Sequence, residues 1–434
     1  MKQHLPQWLR IGMLSFGGPA AQISVMHRIA VEEQRWVSEA EFLRALNFCM
    51  LLPGPEAQQM AVWLGWRTHG VRGGLISGAL FVLPGSLIML LLSWVYAQTQ
   101  GLPAMLGLLL GLKCAVLSIV LQAVFRLARR VLKSRFLRFI AVLSGLLSVL
   151  KLLPFPLLIL AAATLGLIQN RKMPATGLHS TAGNQGSEIP ADSPLLNETR
   201  RFSLTLGTGM LLWWLPVICC GLLAGWSSLW VQLGVFFSQA AVLTFGGAYS
   251  VLNYVSAAVV DNFGWLTRAE MADGLGLAET TPGPLILVVQ HVGFLSAWKQ
   301  PGTLAPGMAG TFAAALTTWV TFVPSFLWIL LGAPWLSRLN QLGWLAAIMS
   351  SVSAAAVGLI AALGAGLAGN TLFSGGFELQ WGQFSLSIPD PRLLQPAAVL
   401  LTALSLTLTF AFRRGLAIIL VSCALSGWLL SLFS

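Results

Sequence analysis

The chain has 434 residues, of which 56% are hydrophobic and 9% charged, against roughly 25% charged in ordinary soluble domains. That balance, with a mean hydropathy of +0.79, excludes a soluble globular protein, and apolar runs of about 20 residues point to helices crossing a bilayer. The net charge of +11 is no nucleic-acid footprint, because Lys and Arg fall in loops between apolar runs, as in cytoplasmic loops of membrane proteins.

In chain order, the first half carries apolar segments near 9–27, 43–65, 74–96, 103–127 and 136–169, the last read as a hairpin turning near 151–156. These runs do not alternate as the strands of a membrane barrel would. No cleavable signal precedes them, so the first spans are expected to direct insertion. Residues 170–203 are polar and rich in Gly, Ser, Asn and Pro, which reads as a cytoplasmic linker. Apolar segments then resume near 204–225, 229–258, 272–296, 305–332, 342–369, 394–412 and 414–433. The expected organisation is a first transmembrane repeat over 1–169, the linker over 170–203, and a second repeat over 204–434. Cys49, Cys114, Cys219, Cys220 and Cys423 all fall in apolar runs without metal-ligand spacing, and read as small buried hydrophobes.

The repeat is visible in short motifs. Ser15-Phe16-Gly17-Gly18 matches Thr244-Phe245-Gly246-Gly247, Trp36 matches Trp265, Glu41 matches Glu270, and Pro53-Gly54-Pro55 matches Pro282-Gly283-Pro284, all at an offset of 229. Farther on, Pro84 matches Pro324 at an offset of 240, with the extra residues in the loop around 299–310. The segment 126–138 holds Arg126, Arg129, Arg130, Lys133, Arg135 and Arg138, whereas its counterpart at about 367–379 has no Lys or Arg. A loop that is basic in one copy only suggests that the copies face opposite ways across the membrane. The fold class is therefore an all-α polytopic membrane protein of two inverted repeats. Charge also assigns 28–44, Arg67, Arg72, Arg338, Arg413 and Arg414 to the inside, and Lys151, Arg268, Lys299 and Arg392 to the outside.

Two prolines around a glycine in mid-span break a helix, since proline removes a donor and disfavours helix at the residue before it. Matching breaks in two halves point to a transporter's binding site, where half-helix N-termini offer free N–H groups to an anion. The alternative is a pair of kinks that serve packing. Glu56, Gln58 and Gln59 follow the first break, and Glu279, Thr280 and Thr281 precede the second. Glu56 and Glu279 are candidates for proton coupling, the alternative being satisfied polar caps. The Phe-Gly-Gly pairs read either as unwound turns or as close helix packing, and inversion with the linker inside requires those stretches to fold back. Lys113 stands near the middle of the run 103–127, too deep to snorkel, and calls for an anionic partner such as Glu56 or the substrate; a structural ion pair is the alternative. There is no phosphate-binding loop, no His-Glu-x-x-His and no nucleophile set, so neither an enzyme, a metal nor a cofactor is expected.

These residues resemble the long-chain, two-domain type of the chromate ion transporter family. The resemblance rests on Phe16-Gly17-Gly18-Pro19, Arg35-Trp36, Leu52-Pro53-Gly54-Pro55-Glu56 and Phe81-Val82-Leu83-Pro84-Gly85. In the second half it rests on Thr244 to Tyr249, Gly264-Trp265-Leu266-Thr267 and Ala278 to Leu285. It implies efflux of chromate, a tetrahedral dianion like sulfate, across a bacterial inner membrane, driven by the membrane potential or a proton gradient. An importer of sulfate or another oxyanion, and an anion channel, stand as alternatives; a homodimer is left open. The expected substrate contacts are Phe16, Gly17, Gly18, Pro53, Gly54, Pro55, Lys113, Thr244, Gly246, Gly247, Thr281, Pro282, Gly283 and Pro284, with Glu56 and Glu279 handling protons.

Overall fold

The computed structural model describes residues 4–172, 195–245, 247–336, 342–381 and 384–432. Most of the expected linker, together with Gly246 and Arg338, lies outside the described residues. The first half comprises α1 (Leu5–Leu14), α2 (Gly18–His27, extended by a π turn over Arg28–Glu33), α3 (Glu39–Leu51), α4 (Glu56–Thr99), α5 (Pro103–Val131), α6 (Arg135–Val149) and α7 (Phe155–Lys172). After α8 (Leu195–Ala224) come α9 (Leu229–Val242), α10 (Ala248–Ala257, with a π turn over Ala258–Asn262), α11 (Arg268–Thr280), a 3-10 turn (Leu285–Leu287) and α12 (Val288–Lys299). They are followed by α13 (Pro306–Gly332), α14 (Gly343–Leu372), α15 (Pro396–Leu406) and α16 (Leu416–Ser431). Among the described residues, five helices are long and apolar enough to cross a membrane, so the chain is an all-α polytopic membrane protein. The loop expected after residue 367 differs: α14 continues to Leu372, and an antiparallel hairpin of β1 (Gly376–Trp381) and β2 (Phe384–Pro389) follows.

The repeat seen in the motifs extends to local geometry. Ser38 caps α3 by accepting from the Glu41 N–H at 3.3 Å, and Thr267 caps α11 in the same way from Glu270, with Glu270 returning a bond to the Thr267 N–H at 2.8 Å. Trp8 packs on Trp36 with ring centres 4.8 Å apart, and Phe237 on Trp265 at 6.5 Å, one repeat later. Pro84 and Pro324 both sit inside helices, α4 and α13. These two helices lie side by side and run in opposite directions: Gly78 meets Phe326, while Trp94, farther along α4, meets Gly307. α4 reverses direction at His69 and Gly70, where Gly70 takes φ 65°, ψ −158°, and its two arms lie side by side: the Ser77 hydroxyl donates to the Ala61 carbonyl at 2.8 Å, and Gly65 lies against the Gly73 carbonyl. His69 is therefore in the turn between the two arms, its ring edge-on to His4 at 4.8 Å.

Two excursions of the first half return to the face they leave. α1 starts with His4 stacked on Trp36, and Arg10 pairs with Glu33 at 2.9 Å, so α1 and α2 form a re-entrant pair around Gly17. Glu41 at the start of α3 meets Arg67 near the end of the first arm of α4 at 2.6 Å, which makes the second pair around Pro53-Gly54-Pro55. The second half repeats this on another face, where Lys151 pairs with Asp261 at 2.8 Å, Arg268 with Asp261 at 3.3 Å and Lys299 with Glu270 at 2.6 Å.

The terminal hairpins are exchanged between halves. α6 and α7 pack on α14, whereas α15 and α16 pack on α5. Small residues make both seams close, because a missing Cβ lets helix backbones touch. Gly111 lies against the Cys423 carbonyl, and Gly358 against the Ala141 carbonyl. Cys49, Cys114 and Cys423 are buried as expected; Cys219 and Cys220 on α8 are instead exposed and half-buried, on a helix whose flank faces outward at Leu222 and Leu223.

Candidate functional site

The four interrupted stretches meet in the middle of the molecule, each bound to one from the opposite half. The Gly54 N–H donates to the Thr244 carbonyl at 2.8 Å, and the Gly283 N–H donates to the Ser15 carbonyl at 2.7 Å. These bonds are counterparts under the repeat, since Ser15 matches Thr244 and Gly54 matches Gly283. Gly54 and Gly283 have φ of 130° and 95°, values that side chains other than glycine rarely adopt, and this turns their N–H groups across the crossing. A buried N–H left unpaired costs about 1–3 kcal/mol, so the two bonds tie the halves together where helix is impossible.

Side chains reinforce the crossing. Gln22, buried on α2, donates to the Gly283 carbonyl at 2.6 Å, and Gln59 donates to the Pro53 carbonyl at 2.8 Å. Gly85 lies directly against the Pro282 carbonyl, and its counterpart Ser325 presses on Gly54.

What the crossing leaves unspent bears on function. α4 begins at Glu56 without a side-chain cap, and the first bond into its backbone is Gln59 N–H to Pro55 at 3.0 Å. Gln58, in that first turn, is fully buried, and neither end of its amide has a partner among the described residues. A buried amide with four unmet hydrogen-bonding capacities is rare in a finished interior and indicates a polar guest.

The expected residues divide into groups. Gly17, Pro53, Gly54, Pro55, Thr244, Gly247, Pro282, Gly283 and Pro284 lie on the four stretches of the crossing, and Gly18 opens α2 beside it. Phe16 points away, with 42% of its surface exposed. Thr244 and Thr281 are buried, but their hydroxyls donate to Ala240 and Ala278 of their own helices. Gly246 lies outside the described residues. Glu279 is buried at the end of α11 and accepts from the Tyr249 hydroxyl at 2.5 Å. Glu56 opens α4, half-buried. Lys113 has a carboxylate partner, as its depth requires, and that partner is Asp273 of α11, at 3.0 Å, rather than Glu56. The second Pro-Gly-Pro also differs from the first in opening onto a 3-10 turn before α12.

Sequence reading missed Gln22 and Asp273. Both are polar residues inside apolar runs, which was the available signal; Asp273 was passed over because it stands at the edge of its run, where an acid reads as interfacial. Gln58 was noticed only as a neighbour of the break. Two apolar grooves of about 450 and 370 Å³ flank α8, lined by residues such as Pro216, Trp230 and Trp319, or Trp213 and Trp214. They touch none of the crossing residues and suit lipid chains rather than an ion.

A family model described as chromate transporter matches residues 3–167 and 231–428. The chain belongs to the chromate transporter family. A chromate transport protein of Cupriavidus metallidurans is 30% identical over 363 residues, covering 83% of this chain and 80% of that protein. Another, of Pseudomonas aeruginosa, is 29% identical over 437 residues, covering 98% and 92%. A probable chromate transport protein of Synechococcus elongatus is 29% identical over 361 residues, 83% of each chain. No solved structure matches significantly. As a member of this transporter family the chain is a transport protein and not an enzyme. The matched ranges take in all four interrupted stretches and omit α8, the helix that stands between the repeats.

Proposed function

We propose that this chain is a secondary transporter that exports chromate, a tetrahedral oxyanion, across the bacterial inner membrane. Its oxyanion site is the crossing, where the uncapped start of α4 and the Gln58 amide donate to the anion. The observation that carries this reading is Gln58, fully buried with its amide unpartnered beside free helix N–H groups. The names of the relatives favour chromate over other tetrahedral anions.

The transporter consists of two inverted repeats, 1–169 and 204–434, joined by a cytoplasmic linker over 170–203. Two observations support inversion: the long arm of α4 and its counterpart α13 are antiparallel, and the re-entrant pairs of each half return to separate faces, the face of Glu270 being met by Gln100 at the far end of α4 from Arg67. The face carrying Arg10, Arg28, Arg67 and the basic segment 126–138 is cytoplasmic under the positive-inside rule. Transport is driven by the membrane potential or the proton gradient.

The test is chromate uptake into everted membrane vesicles, with and without sulfate in excess and with each gradient collapsed separately. Chromate accumulation that sulfate displaces only weakly is expected. Sulfate transport in preference to chromate, or flux that ignores both gradients, would replace the exporter by an oxyanion importer or a channel.

A further inference from the structure

A second polar centre lies between the crossing and the face that carries Lys299. Lys113 of α5 pairs with Asp273 of α11 at 3.0 Å, and Asp273 also accepts from the Tyr96 hydroxyl of α4 at 3.0 Å. The Tyr96 ring stands edge-on to His291 of α12 at 5.1 Å, and His291 Nδ1 bonds Ser93 at 2.9 Å. His291 is fully buried and its Nε2 has no partner among the described residues. Glu270, one turn earlier on α11, is the other charge that acts on Asp273, and it is held by Lys299.

The repeat supplies a control for what the fold alone requires. The positions matching His291, Ser93, Tyr96 and Lys113 are Val62, Ala333, Leu336 and Ala354, and the position matching Asp273 is Arg44, which is exposed. One copy of the architecture thus holds apolar side chains at four of these positions and an exposed arginine at the fifth, where the other holds an ion pair, a tyrosine and a histidine. Packing does not demand these groups, and a buried charge in a membrane is retained for function by default.

The position of Lys113 gives that function a form. Gly276 has no side chain, so the α5 backbone at Leu112 and Lys113 comes up against α11 there, within 4 Å of where a Cβ would stand. Gly276 lies one turn from Asp273 on one side and one turn from Thr280, at the lip of the second Pro-Gly-Pro, on the other. A lysine stem rooted at that level can turn its ammonium either way.

We infer that Lys113 exchanges between Asp273 and the transported oxyanion, and that Asp273 is the site that binds a proton while the anion is aboard. This rests on the oxyanion-transport reading above. In the empty carrier Lys113 and Asp273 neutralise one another. When the anion draws the ammonium away, Asp273 becomes a buried carboxylate without its counter-charge, which is strongly disfavoured, so a proton from water adds to a carboxylate oxygen. Lys113 keeps all its protons throughout. On release the ammonium returns, the proton leaves to water, and the pair re-forms. Proton and anion therefore travel together, and each dianion carries a net single negative charge. An inside-negative potential drives that outward.

The experiment uses purified full-length protein in proteoliposomes, measuring labelled chromate or sulfate flux together with a pH dye trapped in the lumen. The wild type is expected to move about one proton per anion in the same direction. In Asp273→Asn the proton-to-anion ratio falls to near zero, and flux no longer varies with pH. Lys113→Met loses anion flux. Lys113→Met with Asp273→Asn, which leaves no stranded charge and serves as the folding control, also lacks flux while its melting temperature stays near that of the wild type. Wild-type anion flux without protons, proton movement retained in Asp273→Asn, or flux retained in the double variant each overturns the inference and leaves the transport reading standing. A wild type that carries neither anion overturns both.

Discussion

Gly54 concentrates two constraints in one residue. Its φ of 130° excludes most side chains, and a Cβ there would strike the Ser325 hydroxyl and crowd Gln59 at 2.7 Å. Gly54→Ala is expected to destabilise the protein by about 1–3 kcal/mol, read as a lowered melting temperature in detergent. Adding Ser325→Ala removes the collision but not the backbone strain, so it should restore only part of the loss; full restoration would show that the backbone geometry is unimportant. Gln58 makes a prediction about affinity instead. If its amide donates to a bound oxyanion, Gln58→Leu forfeits a hydrogen bond to charge worth about 1.5–3 kcal/mol, a rise of about 10- to 150-fold in the half-saturating anion concentration. The leucine matches a buried site in size, so stability should hold or improve. An unchanged half-saturating concentration would remove Gln58 from the site.

Among the elements, α11 and α12 form a unit whose outer end is locked by charge. Partial burial pushes the Glu270 carboxyl up, but the Lys299 ammonium and the Thr267 N–H and hydroxyl outweigh it and hold the group below the usual carboxylate range. A lowered folded-state value means that this lock contributes stability above the ordinary carboxylate pKa of about 4.3, and loses it as pH falls through the lower folded value. Protection of the α11 amides, taken relative to the intrinsic exchange rate at each pH, should therefore fall as pH drops through the carboxylate range in the wild type, and Glu270→Gln should be less protected at neutral pH with little further loss on acidification. The breaks that bound these elements were legible in the sequence, because proline and glycine restrict the backbone locally. The partners were not. Lys113 announced its need for a counter-charge, yet Asp273 lies 160 positions away and only packing brings α5 to Gly276. The hairpin of β1 and β2 was legible and was passed over: Phe377-Glu378-Leu379-Gln380-Trp381 and Phe384-Ser385-Leu386-Ser387-Ile388 alternate apolar and polar residues around Gly382-Gln383, but the segment was read only for its charge.

At the scale of the whole molecule, inversion makes a prediction that each repeat alone does not. In a cysteine-free background, Lys133→Cys lies in the basic segment after α5 and Ser374→Cys in the matching segment after α14, both exposed. A membrane-impermeant maleimide should label the first in everted vesicles and the second in intact cells; labelling of both from one side would mean parallel repeats. The motif offset of 229 already implied the duplication, and the loop charges are the sequence's argument for the proposed inversion, but the exchange of terminal hairpins had no trace in one sequence, since apolar helices of similar composition do not declare which neighbour they choose.

That exchange has a consequence for how the protein is made. α5 and α14 each need a hairpin that belongs to the other copy, so the first half cannot finish its own seams when it leaves the ribosome. Its partner surface, Cys423 on α16, arrives 312 residues after Gly111, on the order of fifteen to sixty seconds at ordinary synthesis rates. During that interval the seam around Gly111 stands open to lipid, to chaperones and to membrane proteases. Produced alone, a fragment of residues 1–172 should be degraded, and co-production with 195–434 should rescue both. Survival of the protein in the cell then depends on the pace of translation as well as on the stability of the finished fold.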